Sequence, residues 1–132
     1  MNVTHGRGYV YAIQYHIVWC VKYRRKILTK EVESKLINIL NKIAEDNQII
    51  IQELNTDLDY IHMLISCKPQ HCISNFIKAF KGVSARLLAK EVPEFKKQFP
   101  KGHLWNPSYY VGTVSKNTEQ QIQDYIKSQK ER

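Results

Sequence analysis

The stretch Asp57 to Ser66, DLDYIHMLIS, constrains this chain more than any other. Successive side chains of a strand point to opposite sides of its sheet. As a strand, the segment puts Ile61, Met63 and Ile65 on one face and Tyr60, His62 and Leu64 on the other. That alternation is what a half-buried strand requires. It also sets Tyr60 and His62 side by side. Asp59 precedes them and points to the apolar side.

A second stretch answers from the far end. Asp124 to Lys130, DYIKSQK, has a helical pattern, and Tyr125 and Gln129 stand at i and i+4, neighbours on one helix face. A strand offering a histidine and a helix offering a tyrosine and an amide can together make one polar site. Alone, His62 would read as an ordinary strand histidine, Tyr125 as a half-buried helix aromatic, and Gln129 as a solvated side chain.

The rest of the chain supplies a frame for these two pieces. The first eight residues read as a mobile arm carrying Arg7 between glycines. Tyr9 to Val21 is β-branched and aromatic, one strand. Lys22, Arg24, Arg25 and Lys26 then crowd around Tyr23, which suits a nucleic-acid backbone as well as a solvated turn. Thr29 can cap a helix whose apolar residues Val32, Leu36, Ile39, Leu40 and Ile43 recur at helical spacing through Asn47. Gln48 to Thr56 reads as a second strand, with a turn at Asn55 to Asp57 and a third strand from Tyr60 to Cys67, making a hairpin. Pro69 and Gln70 open a second helix with a stripe of Ile73, Phe76, Ile77, Phe80, Val83 and Leu87, and Lys78, Lys81 and Arg86 lie off that stripe. A loop-rich stretch, EVPEFKKQFPKGHLWNP, leads to a fourth strand, Ser108 to Ser115, and a final helix, Thr118 to Arg132, capped by Asn117 or Thr118.

The order is β-α-β-β-α-β-α. Its first six elements match the split βαβ, ferredoxin-like (RRM-like) pattern. The expected class is α+β, an antiparallel four-stranded sheet with an extra C-terminal helix that carries the tyrosine. All 132 residues suit one domain, with a core of about residues 9–116 and the terminal helix at about 117–132. A domain this size buries enough surface to need no disulfide. Cys20, Cys67 and Cys72 have no CxxC spacing and read as idle thiols. No apolar run reaches the roughly 18 residues of a membrane span, and no signal-peptide core is evident, so a cytoplasmic location with no membrane partner is expected. Lysine and arginine number 20 against 12 acidic residues, a net charge of +8, which favours a polyanionic partner.

Five segments together resemble one family: GRGYVYAIQYHIVWCVKYRRKIL, the DxxHxLIS strand, FIKAFKGVSAR, LWNPSYYVGTVS and IQDYIKSQ. In order and at fitting lengths, they resemble the HUH-type single-tyrosine transposases of small bacterial insertion sequences, sometimes called TnpA. The resemblance implies a homodimer with active sites composed from both chains. It implies binding of single-stranded DNA hairpins at the element's ends, and cleavage and rejoining through a 5′-phosphotyrosine. It makes Tyr125 the nucleophile. His62 becomes the second HUH histidine and Gln129 a helix-borne ligand for Mg²⁺ or Mn²⁺. Arg7, Lys22, Tyr23, Arg24, Arg25, Lys78, Lys81 and Arg86 are the candidate DNA contacts. No GxxxxGK[ST] loop is present, consistent with joining that needs no ATP.

One position departs from the pattern. Tyr60 stands where the family has its first histidine, and a neutral phenol is a poor magnesium ligand. His16 and His103 are candidates to fill that gap, although His16 in its strand also reads as a packed or surface residue. Two functions follow: a transposase with an altered metal site, or a catalytically inactive hairpin DNA- or RNA-binding protein of the same fold. A ferredoxin-like module that binds small ligands or protein is a third.

Overall fold

The computed structural model describes residues 4–6, 9–11, 13–114 and 118–129. Arg7 and Asn117 lie outside them. Strand β1 (Thr4–Gly6) pairs antiparallel with β2 (Tyr9–Tyr11) in a ribbon of its own. The main sheet contains β3 (Gln14–Cys20), β4 (Ile50–Asp57), β5 (Tyr60–Ser66) and β6 (Tyr110–Thr113). Its order is β4-β5-β3-β6 and every pairing is antiparallel, as the ferredoxin-like pattern requires.

The single strand expected over Tyr9 to Val21 is therefore two strands. The reason is the partner: β5 has seven residues and pairs one for one with Gln14–Cys20, so residues before Gln14 have no ladder to join. They fold back on Thr4–Gly6 instead, which also corrects the reading of residues 1–8 as a mobile arm.

Helices α1 (Lys30–Asp46) and α2 (Ile73–Glu91) cover one face of the sheet. Ile17, Trp19 and Val21 of the β3 segment, Ile61, Met63 and Ile65 of β5, Leu36 and Leu40 of α1, and Phe76 and Phe80 of α2 share one core. Helix α2 begins at Ile73 rather than Pro69, because Lys68 to His71 close a turn of their own: the His71 amide donates to the Lys68 carbonyl and the Lys68 amide to His71 Nδ1. Thr29 occupies the N-cap of α1 without a side-chain capping bond. The loop-rich stretch holds a short helix, α3 (Glu94–Gln98), anchored by buried Phe95. The fourth strand is shorter than expected, four residues.

Helix α4 (Thr118–Ser128) crosses the other face. Ile122 and Ile126 pack on Val18, the one β3 residue in this second core, with Tyr60, Tyr110 and Tyr125 around them. The sheet is thus covered on both sides.

Arg24 locks α4 to the turn after β3. Tyr23 and Arg24 both have left-handed backbones, φ 61° and 54°, at a cost on the order of 1–3 kcal/mol each for such residues. What holds the turn is the Arg24 guanidinium. Its Nε donates to Asp59 Oδ2 at 2.9 Å, Nη2 pairs with the same oxygen at 2.8 Å, and Nη1 donates to the Ile126 carbonyl at 2.6 Å. The last bond also sets a cation at the C-terminal end of α4, where the helix dipole favours it. Asp59 is buried, on the side opposite Tyr60, as the strand pattern predicted. Replacing Arg24 by Met leaves that carboxylate without its partner. Urea unfolding of Arg24→Met should show a loss of about 3 kcal/mol, and the double variant Arg24→Met/Asp59→Asn should recover part of it.

Candidate active site

The open face of the sheet gathers the polar residues singled out in the sequence. Antiparallel pairing puts Val18 beside His62 and His16 beside Leu64, so the two imidazoles sit diagonally on one face. His16 Nδ1 and His62 Nε2 are 2.8 Å apart, with ring centroids at 5.0 Å. Burial pulls both imidazoles below the ordinary histidine range, and the neighbouring ring lowers His62 further. Glu53 on β4 and Glu119 in the first turn of α4 pull the other way. His16, read in sequence as a packed or surface residue or a gap-filler, is thus the direct partner of His62. His103 is not: it is exposed and lines a hollow with Lys22, Tyr23 and Arg25.

Tyr125 and Gln129 meet on α4 as the helical spacing required, and a residue the sequence did not flag joins them. Ser108 Oγ lies 2.8 Å from the Tyr125 hydroxyl and donates to Gln129 Oε1 at 2.9 Å. Serine has one proton to give. With it on the Gln129 carbonyl, the Tyr125 phenol donates to Ser108. Burial pushes the Tyr125 phenol above its ordinary value, and the Ser108 contact draws it back in part. Gln129 is buried. Tyr60 packs beside Tyr125 in the small core under α4, and burial with the charges of Asp57 and Asp59 raises its phenol too.

Ser108 is itself held from the other side of the sheet. Lys81 on α2 donates from Nζ to the carbonyls of Asn106, Pro107 and Ser108 at 2.7, 3.1 and 3.1 Å. Burial draws its ammonium down to about 8. The only sequence signal for Ser108 is its place just before the last strand, after Pro107.

The cationic candidates divide. Lys22, Tyr23 and Arg25 line a hollow of about 310 Å³ with Phe99 and Lys101. The exposed Tyr23 ring has Lys22 Nζ at 5.2 Å and the Arg25 guanidinium at 5.4 Å from its centre. Lys81 and Arg86 line a larger hollow of about 670 Å³ with Lys90 and Lys96, and Lys78 lies beside it. Arg24 does not join them, because its guanidinium is committed to Asp59 and Ile126. Cys20 and Cys67 are buried and Cys72 is exposed, all free thiols; burial raises Cys20 to about 11.

No group of three or more His, Cys, Asp or Glu side chains able to hold a metal occurs among the described residues. The set expected for Mg²⁺ or Mn²⁺ does not fit as these side chains stand. Tyr60 offers a neutral phenol, Gln129 Oε1 is taken by Ser108, and His62 Nε2 faces His16. No helix among the described residues is long and apolar enough to cross a membrane.

Comparisons with known proteins agree with one another. Residues 9–129 match the family described as "Transposase IS200 like". The ISDra2 transposase TnpA of Deinococcus radiodurans is 46% identical over 129 residues, covering 98% of this chain and 92% of that one. A transposase for insertion sequence element IS200 of Salmonella typhimurium is 38% identical over 118 residues, 89% of this chain and 77% of the other. A crystal structure of a Deinococcus radiodurans protein described as a transposase superposes with a TM-score of 0.92 at 45% identity, over 98% and 99% of the two chains. The REP-associated tyrosine transposase, solved bound to a REP hairpin, shares the fold alone, at a TM-score of 0.56 and 12% identity over 96% and 74% of the chains.

The Lys81 contacts predict a measurable link between α2 and the tyrosine. Lys81→Met should cost about 1–2 kcal/mol in chemical unfolding. It should also shift the Tyr125 ring resonances in NMR spectra, although the two side chains do not touch. Unchanged Tyr125 resonances would mean that the 106–108 loop is held by other contacts.

Proposed function

The chain belongs to the IS200-like transposase family, the transposases of insertion sequences, and from that premise we propose that it binds hairpin ends in single-stranded DNA and cuts and rejoins strands with Tyr125. The observation that carries this reading is the Tyr125 hydroxyl held by Ser108 on the open face of the sheet, with Gln129 on the same network. A phenol has a pKa of about 10 and is a weak nucleophile at neutral pH. It must therefore be oriented and its proton given somewhere to go. Ser108 Oγ accepts that proton's hydrogen bond. As the phenol oxygen bonds to phosphorus, the proton leaves toward solvent, and the Ser108 hydroxyl can turn from Gln129 to the developing charge. The P–O bond to the leaving strand breaks, freeing a 3′-hydroxyl. The 5′-phosphotyrosine keeps the energy of the broken diester, so attack by a 3′-hydroxyl rejoins strands without ATP.

DNA contacts fall to Lys22, Tyr23, Arg25, Lys78, Arg86 and the neighbouring lysines of the two hollows. A charge of +8 supports a partner rich in phosphates. A REP hairpin bound to a protein of the same fold supports a hairpin as the form of that partner. Homodimerisation, with a site composed from two chains, belongs to the same reading. In this chain α4 packs on its own sheet. No step is routed through magnesium or manganese, because the side chains do not fit that site.

One observation favours a second reading, a hairpin-binding protein that does not cut. Tyr60 stands at the position of the first histidine, and its raised phenol stays protonated at neutral pH.

A denaturing gel with single-stranded DNA carrying the flanking hairpins separates the two. A covalent adduct in the unaltered protein that vanishes in Tyr125→Phe, with hairpin affinity kept within about twofold, is the expected result. Retained binding with no adduct selects the second reading.

The pH profile tests Ser108. Burial raises the Tyr125 phenol, so the cleavage rate should climb with pH from 7 to 9 as the phenolate fraction grows. Ser108→Ala removes the contact that lowers it. The rising limb should move to higher pH, and the rate at pH 8 should fall about tenfold.

A further inference from the structure

Two nitrogens facing each other at 2.8 Å on an otherwise open sheet face are the least explained feature of the molecule. His16 and His62 come from neighbouring antiparallel strands, 46 residues apart in sequence. We propose that His16 Nδ1 and His62 Nε2 form a site for one divalent transition-metal ion of imidazole preference, with Zn²⁺ as the type.

The geometry is close to what such an ion needs. With metal–nitrogen bonds of about 2.1 Å, two imidazole nitrogens stand about 3.0 Å apart at a right angle and about 3.4 Å at the tetrahedral angle. A few tenths of an ångström of opening between β3 and β5 side chains therefore admits the ion. The proton that the two nitrogens now share moves to the far nitrogen of the donating ring, a change of tautomer, so both facing lone pairs turn to the metal with no proton lost.

The surroundings favour a cation. Glu53 on β4 and Glu119 in the first turn of α4 are exposed carboxylates whose charges act on both rings. No third ligand is already in place among the described residues, so water or a swing of Glu119 completes the shell. Two imidazoles select Zn²⁺, Co²⁺, Ni²⁺ or Cu²⁺ over Mg²⁺, which demands an octahedral shell of oxygens.

This site is not the one that the HUH pattern describes. It uses His16, outside that motif, and neither Tyr60 nor Gln129. Glu119 lies six residues before Tyr125 on α4, about 9 Å along a helix. The ion would thus sit by the start of α4, away from the Tyr125 hydroxyl, as a clasp between β3, β5 and that helix.

The test needs no DNA, so its failure leaves the transposase reading untouched, and a failure of cleavage leaves the site untouched. The whole chain, stripped by a chelator, is titrated with Zn²⁺, Co²⁺ and Mg²⁺ by calorimetry. Histidine side-chain NMR and the thermal midpoint are followed in parallel. The expected result is one Zn²⁺ or Co²⁺ per chain, Mg²⁺ at least about 100-fold weaker, and a higher thermal midpoint with Zn²⁺. His16→Asn should weaken Zn²⁺ at least about tenfold and abolish the shift in midpoint, whereas Tyr60→Phe and Gln129→Ala should bind as the unaltered chain does. Zn²⁺ affinity unchanged in His16→Asn, or lost in Gln129→Ala, overturns the proposal. Should His16→Asn fail to fold, the NMR titration of the unaltered chain decides: His16 and His62 ring signals that do not move on adding Zn²⁺ overturn it equally.

Discussion

Strand β3 has to satisfy two layers at once. Ile17 through Val21 are all fully buried, five residues in a row, although their side chains alternate between faces. Ile17, Trp19 and Val21 enter the core under α1 and α2, and Val18 alone carries the core under α4. Remove the second layer and Val18 would face water. The open face would then have no helix to present a tyrosine. A single valine and two isoleucines make a thin layer, so α4 needs a polar tether as well. Arg24 supplies it by bridging Asp59 and the Ile126 carbonyl, at the cost of two left-handed residues in the turn.

The double burial of β3 also explains what sequence could and could not reveal. The alternation in β5 was plain because its open face carries Tyr60 and His62, so the two faces differ in polarity. In β3 both faces are apolar over Ile17 to Val21, and period two vanishes. Its start was then invisible, and Tyr9 to Val21 merged into one strand. The hairpin of β4 and β5, both long helices and the ferredoxin-like order were legible, since each rests on local spacing. Pairing register was not. Nothing local says that Gln14 aligns with Ser66, and only that alignment brings His16 to His62. Tyr60, His62, Tyr125 and Gln129 were found through family resemblance, whereas Ser108 has no local pattern to betray it. Its role exists only once a loop, α2 and α4 converge.

Charge counting misread Arg24 for a related reason. Composition gives the number of cations but not their partners, and KYRRK looks uniform in sequence. In the fold its members part ways: Tyr23 and Arg25 face a hollow, while Arg24 turns inward to a buried carboxylate. Lys81 is a subtler case. It lines the largest hollow, yet its ammonium already serves three backbone carbonyls. A phosphate there would compete with those carbonyls. Arg86, Lys90 and Lys96 on the same walls make more available phosphate contacts than Lys81 does.

Lys81 therefore matters less as a DNA contact than as a brace. The basic hollows lie along α2 and the 102–107 loop, and the tyrosine lies across the sheet from α2. The only polar path between them in the structure runs from Lys81 through the carbonyls of residues 106–108 to Ser108 Oγ and the phenol. Each bond on it is within 3.1 Å. A backbone loop pinned by three bonds to one ammonium moves as a unit. A displacement of α2 at the hollow thus reaches the Tyr125 oxygen as a displacement of Ser108. The hydrophobic layer under α4 fixes where the helix lies, but it leaves the phenol free to rotate about its own axis. The Ser108 contact is what selects one direction for the hydroxyl, and that selection depends on a lysine from the opposite layer.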